Sequence, residues 1–540
     1  MPIVPLPIAE WAPDLFPIGS PGAAVITNVV PKTPTTYGPM PTAVAYSDAL
    51  SARIIGSYTM RDTAKNVYVF AGDAANLYLL TAGSTAFTDV SGTTYAGQPW
   101  PDTQWFFTSF GQRIVAVNYV DETQTFLLGT DAVFSDLSAD APRAKYCEAV
   151  GDFVMLANTF DGVSGTQPQR VWWSAIGDPT SWPTPGTVAA IQVQSDYQDL
   201  QQTDFGHISG IAAGPLPTAS ATIFCEHGAY VATYVGSPAI FSFRALEVPG
   251  CEAGSSIVKG HINSGGTVIP VIFYKSANGW YAFNGSTSIA IGSNKIDRFV
   301  AAELNTELRM TVLGEPDPVN KLIYWAYSST ASTSLYDRMV VYNWDVNRWS
   351  YIDLSSAAIG YFLQTATIGY TLEELDQFGT LETLPYSLDS EAWVGGAPRF
   401  GVFTSANELA YLTGVSMAAT VETPEVEPVP GKRAFVRNIL PVLDGFGASA
   451  SLGVREHAGN DITFKAAVAM NHWAQCPQRW TGRYVKVRLT TPTGGTFSHI
   501  SGVEVDAIQT GIRGAGTAWL LAEDGVTRIT DEYGNPLRAG

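Results

Sequence analysis

Charge is scarce in this sequence. Asp, Glu, Lys and Arg make up only 15% of its 540 residues, well below the usual quarter. What charge there is runs one way: 30 Lys and Arg stand against 49 Asp and Glu, for a net −19. A surface of that sign repels phosphate, which argues against a nucleic-acid reader that grips the backbone. It leaves room for a wall along which nucleic acid passes without sticking. Cysteine is nearly absent. Cys147, Cys225, Cys251 and Cys476 are scattered, with no CxxC pair. That spacing speaks against a zinc site or a disulfide framework and for free, mostly buried thiols, as in a reducing cytosol. No window of 18 residues is apolar throughout, so no membrane span is expected. The first cation is Lys32, and prolines interrupt the opening MPIVPLPIAEWAPDLF; neither feature fits a signal peptide. Amphipathic helical patterns are almost missing.

What the chain does contain is turn and strand material. Apolar residues reach 46% and aromatics 12%, with 51 glycines and 33 prolines. Many short strands joined by tight turns are expected, hence an all-β protein. A chain this long exceeds one hydrophobic core, so several domains, or one repeat array plus additions, are required.

The stretch VWWSAIGDPTSW (171–182) shows the local logic. Val171, Trp172 and Trp173 suit a half-buried strand. Asp178-Pro179 starts a turn, and Trp182 follows close enough to fold back on the tryptophan pair. MVVYNWDVNRWS (339–350) repeats the pattern with Trp344 and Trp349. Hairpin-like pieces recur at 67–80, 105–120, 152–160, 221–236, 268–285, 321–328 and 399–414. Their first strands are spaced at roughly the 40–50 residues of a four-stranded blade, or somewhat more. The expected architecture is a β-propeller of six or seven blades over 51–415, with insertions; stacked sandwiches are the alternative. The residues expected to fix blade corners are Trp172, Trp173, Asp178, Pro179, Trp182, Trp344 and Trp349.

Other segments divide off. Residues 1–50 read as an extended N-terminal arm, because Pro31, Pro34, Pro39 and Pro41 argue against regular structure. A carboxylate-rich stretch at 370–393 contains a short helical pattern at 371–377. Residues 416–431 read as a proline-rich linker or an extended strand leaving the propeller. Five strands are expected in 432–513, forming a small C-terminal β-sandwich. This module holds ten Lys and Arg against five Asp and Glu, leaving −24 on the remainder, which points to an acidic neighbour. Arg479, Arg483, Lys486 and Arg488 are its possible interface, since alternation puts Lys486 and Arg488 on one strand face. Residues 514–540 form a C-terminal tail that Trp519, Leu520 and Leu521 could anchor.

Catalytic motifs are lacking: there is no G-x-S-x-G, H-E-x-x-H or G-x-x-x-x-G-K-[ST]. The six histidines show no ligand spacing. No enzyme activity, metal or cofactor is expected. Two alternatives remain open. Trp100, Trp172 and Trp280 could stack on sugars in a glycan- or receptor-binding propeller, and two carboxylates could serve a propeller glycosidase.

The order of several motifs carries a resemblance. WAPDLFPIGSPGAAVITNVVP (11–31), WFFTSFGQRIVAVNY (105–119), VWWSAIGDPTSW, YNWDVNRW (342–349), SLDSEAWVGG (387–396), CPQRWTGRYVKVRL (476–489) and GVEVDAIQTGIR (502–513) occur in that sequence. The chain resembles the β-propeller tail nozzle family of short-tailed bacteriophages, also called tail hub or packaged-DNA-stabilising proteins. The resemblance implies a structural virion protein without a catalytic site. It implies a ring, commonly a homohexamer, below a tail adaptor ring and portal, with spikes or fibres outside. Genomic DNA would pass its lumen without sequence-specific contact. Assembly would take place in the host bacterial cytoplasm.

Overall fold

The computed structural model describes residues 3–510, apart from 17, 19–21, 65, 82, 202, 217–218, 265–266 and 367–397. The chain divides into two compact units. One comprises residues 30–34 and 40–415; the other comprises 1–29, 35–39 and 416 onward. The predicted helix at 371–377, the carboxylates around it and the tail anchors Trp519 to Leu521 lie outside the described residues.

Among the described residues, the larger unit forms a seven-bladed β-propeller. Its blades run from Gly56–Arg61 to Thr88–Asp89, from Phe106–Phe110 to Ser135–Asp136, and from Arg143–Val150 to Asp196–Asp199. They continue from Ile208–Ala213 to Ile240–Leu246, from Val258–Ser264 to Ser288–Ala290, and from Leu313–Asp317 to Arg348–Asp353. Each is four consecutive antiparallel strands. Blade seven takes three strands, Ile359–Ala366, Pro398–Thr404 and Leu409–Ser416, and its fourth from far back in the chain, Pro41–Ala45. The first strand of blade seven packs beside the first strand of blade one, which closes the cycle.

This closure corrects the reading of residues 1–50 as an extended arm. Tyr46 donates its amide to Leu409 O at 2.7 Å, and the Thr42 hydroxyl donates to Val415 O at 3.0 Å. Prolines did not prevent strand formation. Pro41 opens its strand and Pro39 ends Thr36–Pro39, positions where a missing amide costs no ladder bond.

Apolar side chains of adjacent blades fill the seams. Ile54, Val67 and Val69 of blade one meet Phe403, Leu409 and Tyr411 of blade seven. Phe70 and Leu79 of blade one meet Ile114 and Phe126 of blade two. In blade one the second and third strands are covered on both faces. They therefore read as near-continuous apolar runs, VYVFAG and LYLLT. All four cysteines are free and buried, and burial pushes the Cys225 and Cys251 thiols up to about 12.

The smaller unit is a two-sheet β-sandwich. One sheet orders Cys476–Gly482, Ala434–Leu443, Ile500–Gln509 and Ile3–Pro7. The other contains Ile26–Thr27, Ala419–Glu422, Tyr484–Thr491, Ser449–Arg455 and two short pieces, Thr463–Phe464 and Val468–Ala469. These pairings decide three points of the expected organisation. The segment 416–431 is no free linker, because Ala419–Glu422 pairs with Tyr484–Thr491. Residues 3–7 pair with 502–506, so the beginning of the arm is a sandwich strand. Cys476–Gly482 is an additional strand, at one end of its sheet.

Candidate functional site

Trp172 and Trp173 are adjacent on a strand, so they point to opposite faces. Trp173 packs in the seam between blades three and four with Ile223, Tyr230 and Phe241; its ring meets Phe241 edge-on at 5.2 Å. Its indole N–H donates to Gln194 O at 3.0 Å. Trp172 packs in the other seam, with Val115, Val117, Leu156 and Trp182. Trp182 thus folds back on one member of the pair only. The corner between them is a closed hydrogen-bonded turn. Asp178 Oδ1 accepts from the amide and hydroxyl of Thr180 at 2.9 and 2.7 Å. Pro179 O accepts from the Trp182 indole at 2.8 Å.

Trp349 is fully buried and donates to Ile291 O at 3.0 Å. It completes a three-tryptophan cluster with Trp280 and Trp325, at 5.9 and 5.7 Å, across blades five and six. Trp344, expected to act likewise, is only half-buried. It sits in the turn between Arg338–Asn343 and Arg348–Asp353, where an indole reaches solvent.

The tryptophans considered for sugar stacking are occupied otherwise. Trp172 and Trp280 are buried at 7% and 1% exposure. Trp100 is covered by the Arg53 guanidinium, 3.7 Å from its ring centroid. Burial lowers the pKa of that guanidinium to about 10.

Three of the four proposed interface cations also turn inward on their own unit. Lys486 and Arg488 do share a face, and both pair with Glu422, which is 2% exposed. Arg488 lies at 2.7 Å from it. Arg483 pairs with Glu427 at 2.7 Å. Arg455, which the sequence reading did not single out, grips Glu425 with two bonds of 2.5 and 2.6 Å. The acidic neighbour implied by the module's excess positive charge is therefore the strand segment 421–427. Its three glutamates, in VETPEVE, were the available signal. Only Arg479 remains exposed.

Two further charged clusters escaped sequence reading. Arg170, 5% exposed, forks onto Asp199 at 2.6 and 2.9 Å and stacks 3.8 Å over Tyr197, fastening the outer strand of blade three. Arg338 joins Glu303 and Asp353 at 2.7 and 2.8 Å. No sequence motif marks either cluster, because the partners come from separate segments.

The first strands of all seven blades line an axial cavity of about 500 Å³. An ion pair, Glu148 with Lys259, joins blades three and five there. The Tyr58 and Ser109 hydroxyls are hydrogen-bonded at 2.9 Å. Among the described residues, no group of three or more His, Cys, Asp or Glu could hold a metal.

In the sandwich, Asp444 accepts from the Ser498 hydroxyl and from the amides of His499 and Ser498, both at 2.7 Å. These bonds pull its carboxyl down to about 2. A depressed folded-state pKa means this group's stabilisation is complete above the ordinary aspartate range. It is lost as the pH falls toward 2. A carboxyl titration by NMR should therefore show a midpoint near 2 for Asp444; a midpoint near 4 would mean that the turn is not tied as described.

No protein-family model matches this chain, and no curated protein matches it. Among solved structures, YCF48 bound to D1 peptide is similar over 68% of this chain and 95% of its own, at 9% identity and a TM-score of 0.36. YCF48 from Cyanidioschyzon merolae is similar over 68% and 98%, at 9% identity and a TM-score of 0.34. Likenesses of that depth say nothing of function.

Proposed function

We propose that this chain is a structural virion protein: a subunit of the distal ring, or nozzle, of a short phage tail. In this reading it assembles in the bacterial cytoplasm as a homohexamer and sits below the adaptor ring and portal. It closes the DNA channel and anchors spikes, fibres or a plug. The order of motifs along the sequence supports the family. The observation that carries the role is the distribution of charge. The propeller unit holds 18 Lys and Arg against 35 Asp and Glu, a net −17. A wall of that sign keeps a polyanion from sticking as it passes.

The propeller axis itself is not the DNA path in this proposal. A cavity of about 500 Å³ crossed by an ion pair has the size of a small-molecule pocket. The lumen is instead enclosed between copies. The glycan-binding alternative loses its main support, since the three tryptophans named for stacking are covered. No catalytic step is assigned.

Light scattering on the purified protein, with and without the adaptor ring, tests the proposal. The expected mass is about six chains, alone or once the adaptor is added. A monomer indifferent to every tail component would overturn it and make glycan screening the next experiment.

A further inference from the structure

We infer that the outer face of the sandwich sheet formed by Ala434–Leu443 and its neighbours docks a second copy of this chain, sandwich to sandwich. The inference rests on the ring reading above and names its contact. Its first basis is where the exposed aromatics lie. Among the described residues, the exposed Phe and Trp side chains are Phe16, Phe446 and Trp473, and all three belong to the sandwich unit. The described Phe and Trp side chains of the much larger propeller are buried or half-buried. Exposed aromatics grouped on one unit mark an interaction site.

Two of the three are held on stiff turns. Trp473, 68% exposed, is at the tip of 471–475. The Asn471 side chain accepts from the amides of Trp473 and Gln475 at 2.9 and 3.0 Å, and Ala474 takes a left-handed φ of 58°. Phe446, 73% exposed, stands between two glycines. Gly445 is pressed so closely on Thr496 that a Cβ would lie 1.8 Å from its carbonyl oxygen, and Gly447 has φ 87°. Asp444 ties the base of that turn to Ser498 and His499. A turn whose backbone is already ordered loses little entropy on docking. Between the turns lies a groove of about 500 Å³ that includes Leu440, Val442, Leu443 and Ala474, with Asp444 and Glu504 at its polar side.

Charge selects the occupant. The sandwich unit, residues 1–29, 35–39 and 416–540, carries 12 Lys and Arg against 14 Asp and Glu, a net −2. Propellers at −17 repel one another strongly, whereas sandwiches at −2 can meet at little such cost. The same sheet supplies both local signs. The end strand Cys476–Gly482 carries exposed Arg479, and the groove carries Asp444 and Glu504. Arg479 of one copy against the carboxylates of the next makes a head-to-tail contact, the kind that closes into a ring.

The test compares the full-length protein with F446S/W473S and with R479E, by light scattering over a concentration series, with circular dichroism and melting as controls for folding. Both variants should keep the native spectrum. F446S/W473S should weaken self-association about a hundredfold. R479E should weaken it less, and adding Glu504→Arg should restore part of the loss. Native variants that assemble like the parent protein would overturn this contact and leave the ring reading standing. A parent chain that stays monomeric would also overturn it; the ring reading would then be decided separately, by whether the monomer joins the adaptor ring. If F446S/W473S does not fold, R479E and its Glu504→Arg rescue decide alone.

Discussion

Trp173→Ala should lower the unfolding free energy of the propeller by about 3–5 kcal/mol, the cost of emptying a fully packed aromatic site. Three contributions add in the same direction. The ring is 2% exposed within the seam between blades three and four. Its edge-on contact with Phe241 disappears. Gln194 O, at the left-handed end of the helix Val188–Val193, loses its indole donor. Trp173→Phe should cost less, because it keeps most of the apolar contact and forfeits the hydrogen bond. Trp344→Ala provides the internal control. That side chain is half-buried, so about 1 kcal/mol is expected. Denaturant titration followed by fluorescence would separate the three. Equal losses for Trp173→Ala and Trp344→Ala would show that the seam between blades does not set stability.

Glu422→Ala is the second large effect. It should destabilise the sandwich by about 3–5 kcal/mol, the usual result of leaving a buried charge without its partner. Lys486 is only 7% exposed and pairs with Glu422. Arg488 is more exposed and can rehydrate, so it should contribute less. The cost therefore comes mainly from stranding the lysine, and a double replacement tests this. Glu422→Met with Lys486→Met removes both charges and should recover much of the loss. Sandwich unfolding, monitored by hydrogen exchange at residues 484–491, would report it. A loss below about 1 kcal/mol would put this cluster with ordinary surface ion pairs and remove the account of how 416–431 is held.

Sequence reading found the two middle strands of most blades and overlooked many of the first and last. The reason is burial. A middle strand such as LIYWAY is covered on both faces and every residue is apolar or aromatic. First strands such as VKGHINS and LGEPD border the axial cavity, and polar residues interrupt them. Local pattern accordingly supports six or seven blades without choosing between them. Blade seven was hardest to complete, because its fourth strand comes from a proline-rich stretch hundreds of residues earlier. The interface cations show the same limit in reverse. Alternation correctly put Lys486 and Arg488 on one face, but the carboxylate that occupies them lies on a segment read as linker or extended strand.

The sequence by itself determined the fold class, the repeat of apolar hairpins, the free thiols and the corner tryptophans other than Trp344. Those properties are written in local composition and in strand periodicity, which depend on neighbours a few residues away. Only the tertiary structure decided how the propeller closes, which unit each part of the N-terminal segment joins, and which cations are spent on Glu422, Glu425 and Glu427. It also decided which aromatics reach solvent. Each of those depends on pairing between residues tens to hundreds of positions apart, where strand-edge hydrogen bonds and charge neutralisation choose the partner and leave little trace in local pattern.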